Sequence, residues 1–237
     1  MSHGSRDGRH AETVWALTGR VRLARPGLRV ETAFLDFDTP GVAGALEALR
    51  RAGTTRAVAV PLLLTRAYHA KTDLPAALAG ARGPSVRQAA VLGGSPLITA
   101  AVQRRLFEAG LCAADRSTTG IVLAGAGSTD PEAIASVGAA TRELWRAGWC
   151  AARPAFVTGP RPRPGEVVRE LRARGVPRVA VAPYVLAPGL LPDRIAAEAA
   201  AARADVLSAP LGDAPEIARL VVERGLEACR TADAHAG

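Results

Sequence analysis

The sequence repeats one pattern twice, and this duplication limits the possible fold more than any other feature. The segment "HGSRD" (3–7) returns as "AGSTD" (126–130), and later segments return in the same order at a nearly constant offset. Chance similarity between two Ala- and Arg-rich segments would not preserve both order and spacing. The sequence therefore predicts an internal repeat. The other paired segments are 31–41 with 154–165, 55–64 with 177–186, 73–75 with 191–195, and 91–98 with 210–217.

Each copy alternates helix-like and strand-like segments. Helices are predicted at about 41–52 and 75–82 in the first copy and at about 131–147 and 164–175 in the second. Short runs rich in Val and Leu, such as 56–64, are typical of strands buried on both faces. Strands that alternate with helices indicate βαβ units and parallel sheets. We therefore predict an α/β fold of two similar lobes, each a parallel sheet flanked by helices.

The repeat also predicts the domain boundaries. The first lobe is assigned to residues 1–115 and the second, a degenerate copy, to residues 116–237, with the polar stretch 112–120 as the seam. Two lobes of this kind leave a cleft between them, which is a common place for a small-molecule site.

The two copies differ at their starts. In the second copy "GIVLAGAG" (120–127) supplies a strand that leads into the glycine turn, whereas in the first copy only Met1 and Ser2 precede that turn. The first lobe is therefore expected to lack its opening strand. Either the chain start is assigned too late or the sheet is one strand smaller, and a cloning scar fits badly because the following residues match the repeat.

Composition excludes several functional classes. The net charge is +8, but the arginines are scattered, Lys71 is the only lysine and aromatic residues make up 4%, so we expect no nucleic-acid partner. The positive surface should instead attract anions. No apolar run is long enough to span a bilayer, so we expect no membrane. Three widely spaced cysteines favour a reducing cytoplasm. A P-loop and a complete GxGxxG motif are absent.

Three metal-capable groups occur in the first copy and not in the second. His3 corresponds to Ala126, Asp36 corresponds to Thr158, and His69 falls where the second copy has no histidine. Each follows a strand or stands in a glycine turn, and in parallel sheets ligands bind where strands end. Read alone, His69 fits a solvated loop residue better than a ligand, and only its coincidence with the other two groups favours a site. His10 is expected to be solvated at the start of a helix. Two imidazoles and a carboxylate suit a divalent transition metal such as Co²⁺, Fe²⁺ or Ni²⁺.

These residues resemble a known family, the class II chelatases of the sirohydrochlorin cobaltochelatase and ferrochelatase type. The resemblance rests on "HGSRD" (3–7), "FLDFDTPG" (34–41), "PLLLTRAYHAKTDLP" (61–75) and the degenerate "APYVLAPGLLPDRI" (182–195), and it covers the whole chain in its long two-lobed form. It implies insertion of Co²⁺ or Fe²⁺ into sirohydrochlorin without ATP, in cobalamin or sirohaem biosynthesis.

The resemblance also implies roles for particular residues. His3 and His69 are expected to bind the metal and take up pyrrole protons, with Asp36 as third ligand or orienting carboxylate. Sirohydrochlorin carries many carboxylates, and the residues expected to bind it stand beside the two histidines. They are Ser5, Arg6, Arg66 and Lys71. No permanently bound cofactor is expected, because the metal is a co-substrate.

Two other functions fit the same sequence. One is a related chelatase that uses protoporphyrin or inserts nickel. The other is not enzymatic: a tetrapyrrole or metal carrier, or a chelatase copy without activity. The resemblance also favours a monomer, because two lobes in one chain already form the cleft that a one-lobed relative must build by dimerising.

Overall fold

The structure of the chain, a computed structural model, describes residues 1–65, 72–80 and 83–233. No helix in these ranges has the length and apolar content needed to cross a membrane. In chain order the elements are α1 (Gly8–Ala24), α2 (Val42–Arg51), β1 (Arg56–Ala59), α3 (Leu74–Ala79), β2 (Ser85–Gln88), α4 (Pro96–Glu108), β3 (Thr119–Gly125), α5 (Pro131–Arg146), β4 (Ala151–Phe156), α6 (Pro164–Ala173), β5 (Arg178–Pro183), α7 (Leu190–Ala201), β6 (Val206–Leu207) and α8 (Pro215–Asp233).

Packing divides the chain into two compact units. The first unit contains Met1–Gly93 and Pro215–Gly237, and the second contains Gly94–Ala214. This division differs from the predicted boundary at residues 115 and 116, which followed the sequence repeat. The difference lies in the last helix of each copy: α4 packs on α5 and β5, whereas α8 packs on α1 and β1. Helix α4 comes from the first copy but belongs to the second unit, and α8 comes from the second copy but belongs to the first unit.

The second unit contains a four-stranded parallel sheet in the order β4-β3-β5-β6. Every residue of the central strand β3 is buried, as expected for a parallel strand whose two faces are both covered. The register aligns Gly120 with Ala151 on one side and with Val179 on the other. Helices α6 and α7 pack against this sheet, and their apolar side chains form its core.

In the first unit β1 and β2 form a two-stranded parallel sheet. Met1 and Ser2 lie where the second unit has the carboxyl end of β3. The Ser2 N–H donates to the Ala33 carbonyl at 2.9 Å, and the Leu62 N–H donates to the Met1 carbonyl at 2.7 Å. The opening strand was expected to be missing. In its place, Met1 and Ser2 form a two-residue bridge of backbone hydrogen bonds between the neighbouring segments.

A cavity of about 610 Å³ adjoins this bridge. Its walls come from α1, the segment 28–32, β1 and α8, and they are largely apolar. The Met1 amino group borders it and donates to the Val60 carbonyl at 2.8 Å. Burial lowers the pKa of that amino group to about 5, although Met1 as a whole is partly exposed. Strand β1, which lines the cavity, corresponds to β5, and β5 pairs with β3 in the second unit.

The two copies share their hydrogen bonds as well as their sequence pattern. The N–H of Asp36 donates to the His3 carbonyl, and the N–H of Thr158 donates to the Ala126 carbonyl, each at 2.9 Å. The peptide bonds before Pro40 and Pro162 are both cis. The predicted duplication is confirmed by these equivalent contacts.

Candidate metal and substrate site

The candidate site begins at the turn that leads into α1. The Asp7 carboxylate accepts the Arg9 N–H at 3.1 Å and caps the helix, and the Ser5 hydroxyl accepts the Asp7 N–H at 3.1 Å. The second copy repeats both contacts with Asp130 and Ser128. The "GSRD" and "GSTD" segments thus each form a turn and cap the helix that follows.

A close backbone approach joins this turn to the segment that carries Asp36. Gly4 has a φ of +93°, and a Cβ added there would collide with the Asp36 carbonyl oxygen. Gly127 shows the same conformation, with a φ of +91°, against the Thr158 carbonyl. Only glycine allows both the left-handed conformation and the close approach. The backbone therefore places His3 beside Asp36.

His3 is half-buried and presents its ring near the surface. Its Nδ1 lies 3.3 Å from the Gly4 carbonyl oxygen. A carbonyl oxygen only accepts, so Nδ1 carries the proton in this contact and Nε2 keeps its lone pair. The ring centroid of His3 lies 6.1 Å from that of Phe37.

Two carboxylates stand on the segment opposite the turn. Asp36 is exposed, and its Oδ1 accepts the N–H of Phe37 at 2.8 Å. Asp38 accepts the N–H of Ser5 at 3.0 Å and so ties this segment to the turn. In the second copy the equivalent of Asp36 is Thr158, whose hydroxyl donates to the Ala126 carbonyl. The second copy thus closes its turn with an internal hydrogen bond where the first copy carries a carboxylate.

His10 was predicted to be solvated, and this prediction was wrong. The side chain is half-buried, and a 2.8 Å hydrogen bond joins its Nε2 to the Ser2 hydroxyl. Burial lowers the pKa of His10, while the nearby Asp38 carboxylate opposes this effect. His10 points back from the first turn of α1 onto the residue that precedes His3, so it supports the loop that carries His3.

Arg6 lies on the exposed side of the turn, with its guanidinium carbon 5.4 Å from the centre of the Phe37 ring. Arg66, His69 and Lys71 lie outside the described residues, so the structure does not place them. Among the described residues no three His, Cys, Asp or Glu side chains are grouped closely enough to hold a metal ion. Of the predicted site residues, His3, Ser5 and Arg6 lie in the turn, and Asp36 lies on the segment that is hydrogen-bonded to it.

Four residues of this site were not assigned to it from the sequence: Ser2, His10, Phe37 and Asp38. A comparison of the two copies at these positions would have identified them. Their equivalents are Gly125, Ala133, Gly159 and Pro160. At each position the first copy has a polar or aromatic side chain that the second copy lacks.

Comparison with known proteins agrees with the repeat. A model of the CbiX family matches residues 1–109 and matches again over residues 120–228. The chain therefore belongs to the CbiX family. A sirohydrochlorin cobaltochelatase of Priestia megaterium is 27% identical over 204 residues, which are 82% of this chain and 65% of the relative. A sirohydrochlorin ferrochelatase of Bacillus subtilis is 31% identical over 176 residues, which are 71% of this chain and 65% of the relative. The chain thus spans about 65% of the length of these relatives.

Solved structures show the same architecture. SirB from Bacillus subtilis with Fe³⁺ is 26% identical, with a TM-score of 0.84 over 98% of this chain and 95% of that chain. SirB from Bacillus subtilis subspecies spizizenii in complex with cobalt is 25% identical, with a TM-score of 0.77 over 98% of this chain and 94% of that chain. The predicted α/β fold with two similar lobes is confirmed.

Proposed function

We propose that this protein inserts Co²⁺ or Fe²⁺ into sirohydrochlorin without ATP, as a step of cobalamin or sirohaem biosynthesis. Its curated relatives carry the names of sirohydrochlorin cobaltochelatase and ferrochelatase. The SirB structures that it resembles contain Fe³⁺ or cobalt. The family and these metals support a metal-insertion reaction.

The observation that carries the proposal is the asymmetry of two otherwise equivalent turns. Both copies hold the same backbone contact, between His3 and Asp36 in one and between Ala126 and Thr158 in the other. Only the first copy places an imidazole and a carboxylate there. An imidazole that was needed only for packing would have no reason to appear together with a carboxylate on the adjoining segment.

His3, His69 and Asp36 are proposed as the metal-binding residues. Three protein ligands leave positions open on the ion, which suits a metal that is delivered to a substrate and not retained. A free-base tetrapyrrole must lose two N–H protons as it accepts the metal. We assign the proton-accepting role to His69 and His3, because neutral imidazole accepts protons near pH 7.

Ser5, Arg6, Arg66 and Lys71 are proposed to bind the carboxylates of the macrocycle. The Ser5 backbone is fixed by the Asp38 carboxylate, and Arg6 lies at the exposed edge of the same turn. Guanidinium and ammonium groups bind carboxylates through charge-assisted hydrogen bonds. The net charge of +8 would favour the approach of such a polyanion.

We further propose that the enzyme works as a monomer in the cytoplasm. Both copies of the family pattern stand in one chain, which is the basis for expecting a monomer. The three cysteines are unpaired and exposed, the state that a reducing compartment maintains.

The direct test is to mix the protein with sirohydrochlorin and Co²⁺ or Fe²⁺ and to follow the absorbance change of the macrocycle. The proposal predicts insertion much faster than in a protein-free control. A shift of the absorbance on binding, without faster insertion, would instead identify a carrier. Protoporphyrin as substrate and Ni²⁺ as metal, offered in parallel, test the related chelatase activities.

A second experiment tests the metal-binding residues. Co²⁺ is titrated into the His3→Ala and Asp36→Ala variants, and the visible bands of bound Co²⁺ are followed. The matched controls in the second copy are Ala126→Ser and Thr158→Ala. The proposal predicts weaker Co²⁺ binding in the first pair and unchanged binding in the second. Equal losses in both pairs would contradict a site confined to the first copy.

A further inference from the structure

Phe37 has an unusual combination of backbone conformation and exposure. Its φ is +63°, a left-handed conformation that residues other than glycine adopt infrequently and, for a bulky side chain, at a cost in free energy. Its side chain is 50% exposed, so burial of the ring does not compensate for this conformation. The ring gains little for folding from its position, which points to a role other than packing.

The second copy provides the comparison that isolates this feature. The residue equivalent to Phe37 is Gly159, which has nearly the same conformation, with a φ of +64°. The turn therefore requires a left-handed residue in both copies, and the second copy uses the residue that adopts it without strain. Phenylalanine at this position retains the strain and adds an exposed aromatic surface to the copy that carries His3.

The neighbours of the ring are groups already assigned to the site. The His3 ring lies 6.1 Å from it, and the Arg6 guanidinium lies 5.4 Å from its centre. The ring thus lies within reach of a molecule that approaches the His3 imidazole. Flat conjugated molecules stack on aromatic rings, and guanidinium groups beside the ring can hold anionic substituents.

We propose that Phe37 is a substrate-binding residue on which the tetrapyrrole macrocycle stacks next to His3. This inference rests on the proposed function, since it names the contact that holds the flat part of that substrate. Arg6, held over the same ring, then pairs with a carboxylate at the edge of the stacked macrocycle. The strained turn sets the position of the ring relative to the metal-binding imidazole.

The test compares Phe37→Gly, Phe37→Leu and Phe37→Tyr with the wild type. Binding of metal-free sirohydrochlorin is measured by fluorescence titration, and the kcat and KM of Co²⁺ insertion are measured separately. Phe37→Gly is expected to weaken macrocycle binding and raise KM by about 10- to 100-fold, the usual range for loss of one stacking contact. Phe37→Tyr should bind as the wild type does, and Phe37→Leu should fall between the two.

Two further measurements separate stacking from a structural role. The Tm of Phe37→Gly should equal or exceed that of the wild type, because glycine relieves the left-handed strain. Its affinity for Co²⁺ alone should not change. Trp145, an exposed aromatic residue of α5 that is 62% exposed, is the control. Trp145→Ala should leave KM unchanged.

The outcomes distinguish this proposal from the proposed function. If the wild type and Phe37→Gly bind and convert sirohydrochlorin equally well, the stacking role is refuted while metal insertion stands. If Phe37→Leu behaves as the wild type does, an apolar contact suffices and stacking is refuted. If the wild type does not bind sirohydrochlorin, the proposed function fails and this inference fails with it.

Discussion

Substitution of Gly4 by alanine tests how the backbone builds the site. The left-handed φ of +93° is strained for alanine, and the new Cβ would collide with the Asp36 carbonyl oxygen, so the turn and the segment 36–38 must separate. Strain of this kind costs about 1–3 kcal/mol and overpacking a further 1–3 kcal/mol, so we expect a loss of roughly 2–6 kcal/mol in the free energy of unfolding. Urea denaturation followed by circular dichroism measures the loss.

Substitutions at two other glycines separate the contribution of backbone strain from that of the steric collision. Gly53 has a φ of +77° with nothing near its added Cβ, so Gly53→Ala should show the strain alone, about 1 kcal/mol. Gly127→Ala should destabilise the protein as much as Gly4→Ala does, because its surroundings are equivalent. Only Gly4→Ala should also weaken Co²⁺ binding. Equal destabilisation by Gly53→Ala and Gly4→Ala would refute the steric argument.

Three further predictions follow from the start of the chain. His10→Ala should destabilise the protein by about 1 kcal/mol in urea denaturation, because its hydrogen bond to Ser2 is lost; an unchanged stability would contradict the role given to His10. Burial lowers the pKa of the Met1 amino group from 8.0 to about 5, and the unfolded chain takes up this proton first. Stability should therefore fall as the pH drops from 8 towards 5, by up to about 4 kcal/mol, and acetylation of the amino group should remove this dependence. An extension ahead of Met1 that copies Thr119–Leu123, the residues before the equivalent of Met1, should fill the adjoining cavity and raise the Tm on the order of 10 °C. A polar extension of equal length should not, and an equal rise in both would show that the cavity does not accept a strand.

Most of the fold could be predicted because the repeat and the local patterns agree. The helix predicted at 131–147 is observed as Pro131–Arg146, and the one predicted at 164–175 as Pro164–Ala173. The proline and acidic residues at the start of α5 make its first turn recognisable in the sequence. The buried strand predicted in the "GIVLAGAG" segment is β3.

The units to which α4 and α8 belong could not be predicted in the same way. Both α4 and α8 begin with a proline and carry an apolar face. Periodicity shows that such a helix must pack on a sheet or another helix, but it does not show which one. That choice depends on contacts between residues far apart in sequence.

The residue types proposed for the site come from the sequence, whereas its supporting contacts do not. Comparison of the copies selected His3 and Asp36, because alanine and threonine at the equivalent positions have neither an imidazole nor a carboxylate. The contact of His10 with Ser2 depends on where α1 begins, and the strain at Phe37 depends on a backbone dihedral. Local sequence patterns do not specify either feature.

The central claim is that the first copy supplies the imidazoles that carry out metal insertion. The most direct measurement is the rate of Co²⁺ insertion into sirohydrochlorin by the His69→Ala variant, with circular dichroism to show that the fold is retained and Ala126→Ser as the control. If His69 accepts the pyrrole proton and binds the metal, as proposed, its loss should slow insertion by about 100-fold or more, while the control keeps the wild-type rate. A folded His69→Ala variant that retains most of the wild-type rate would contradict this account.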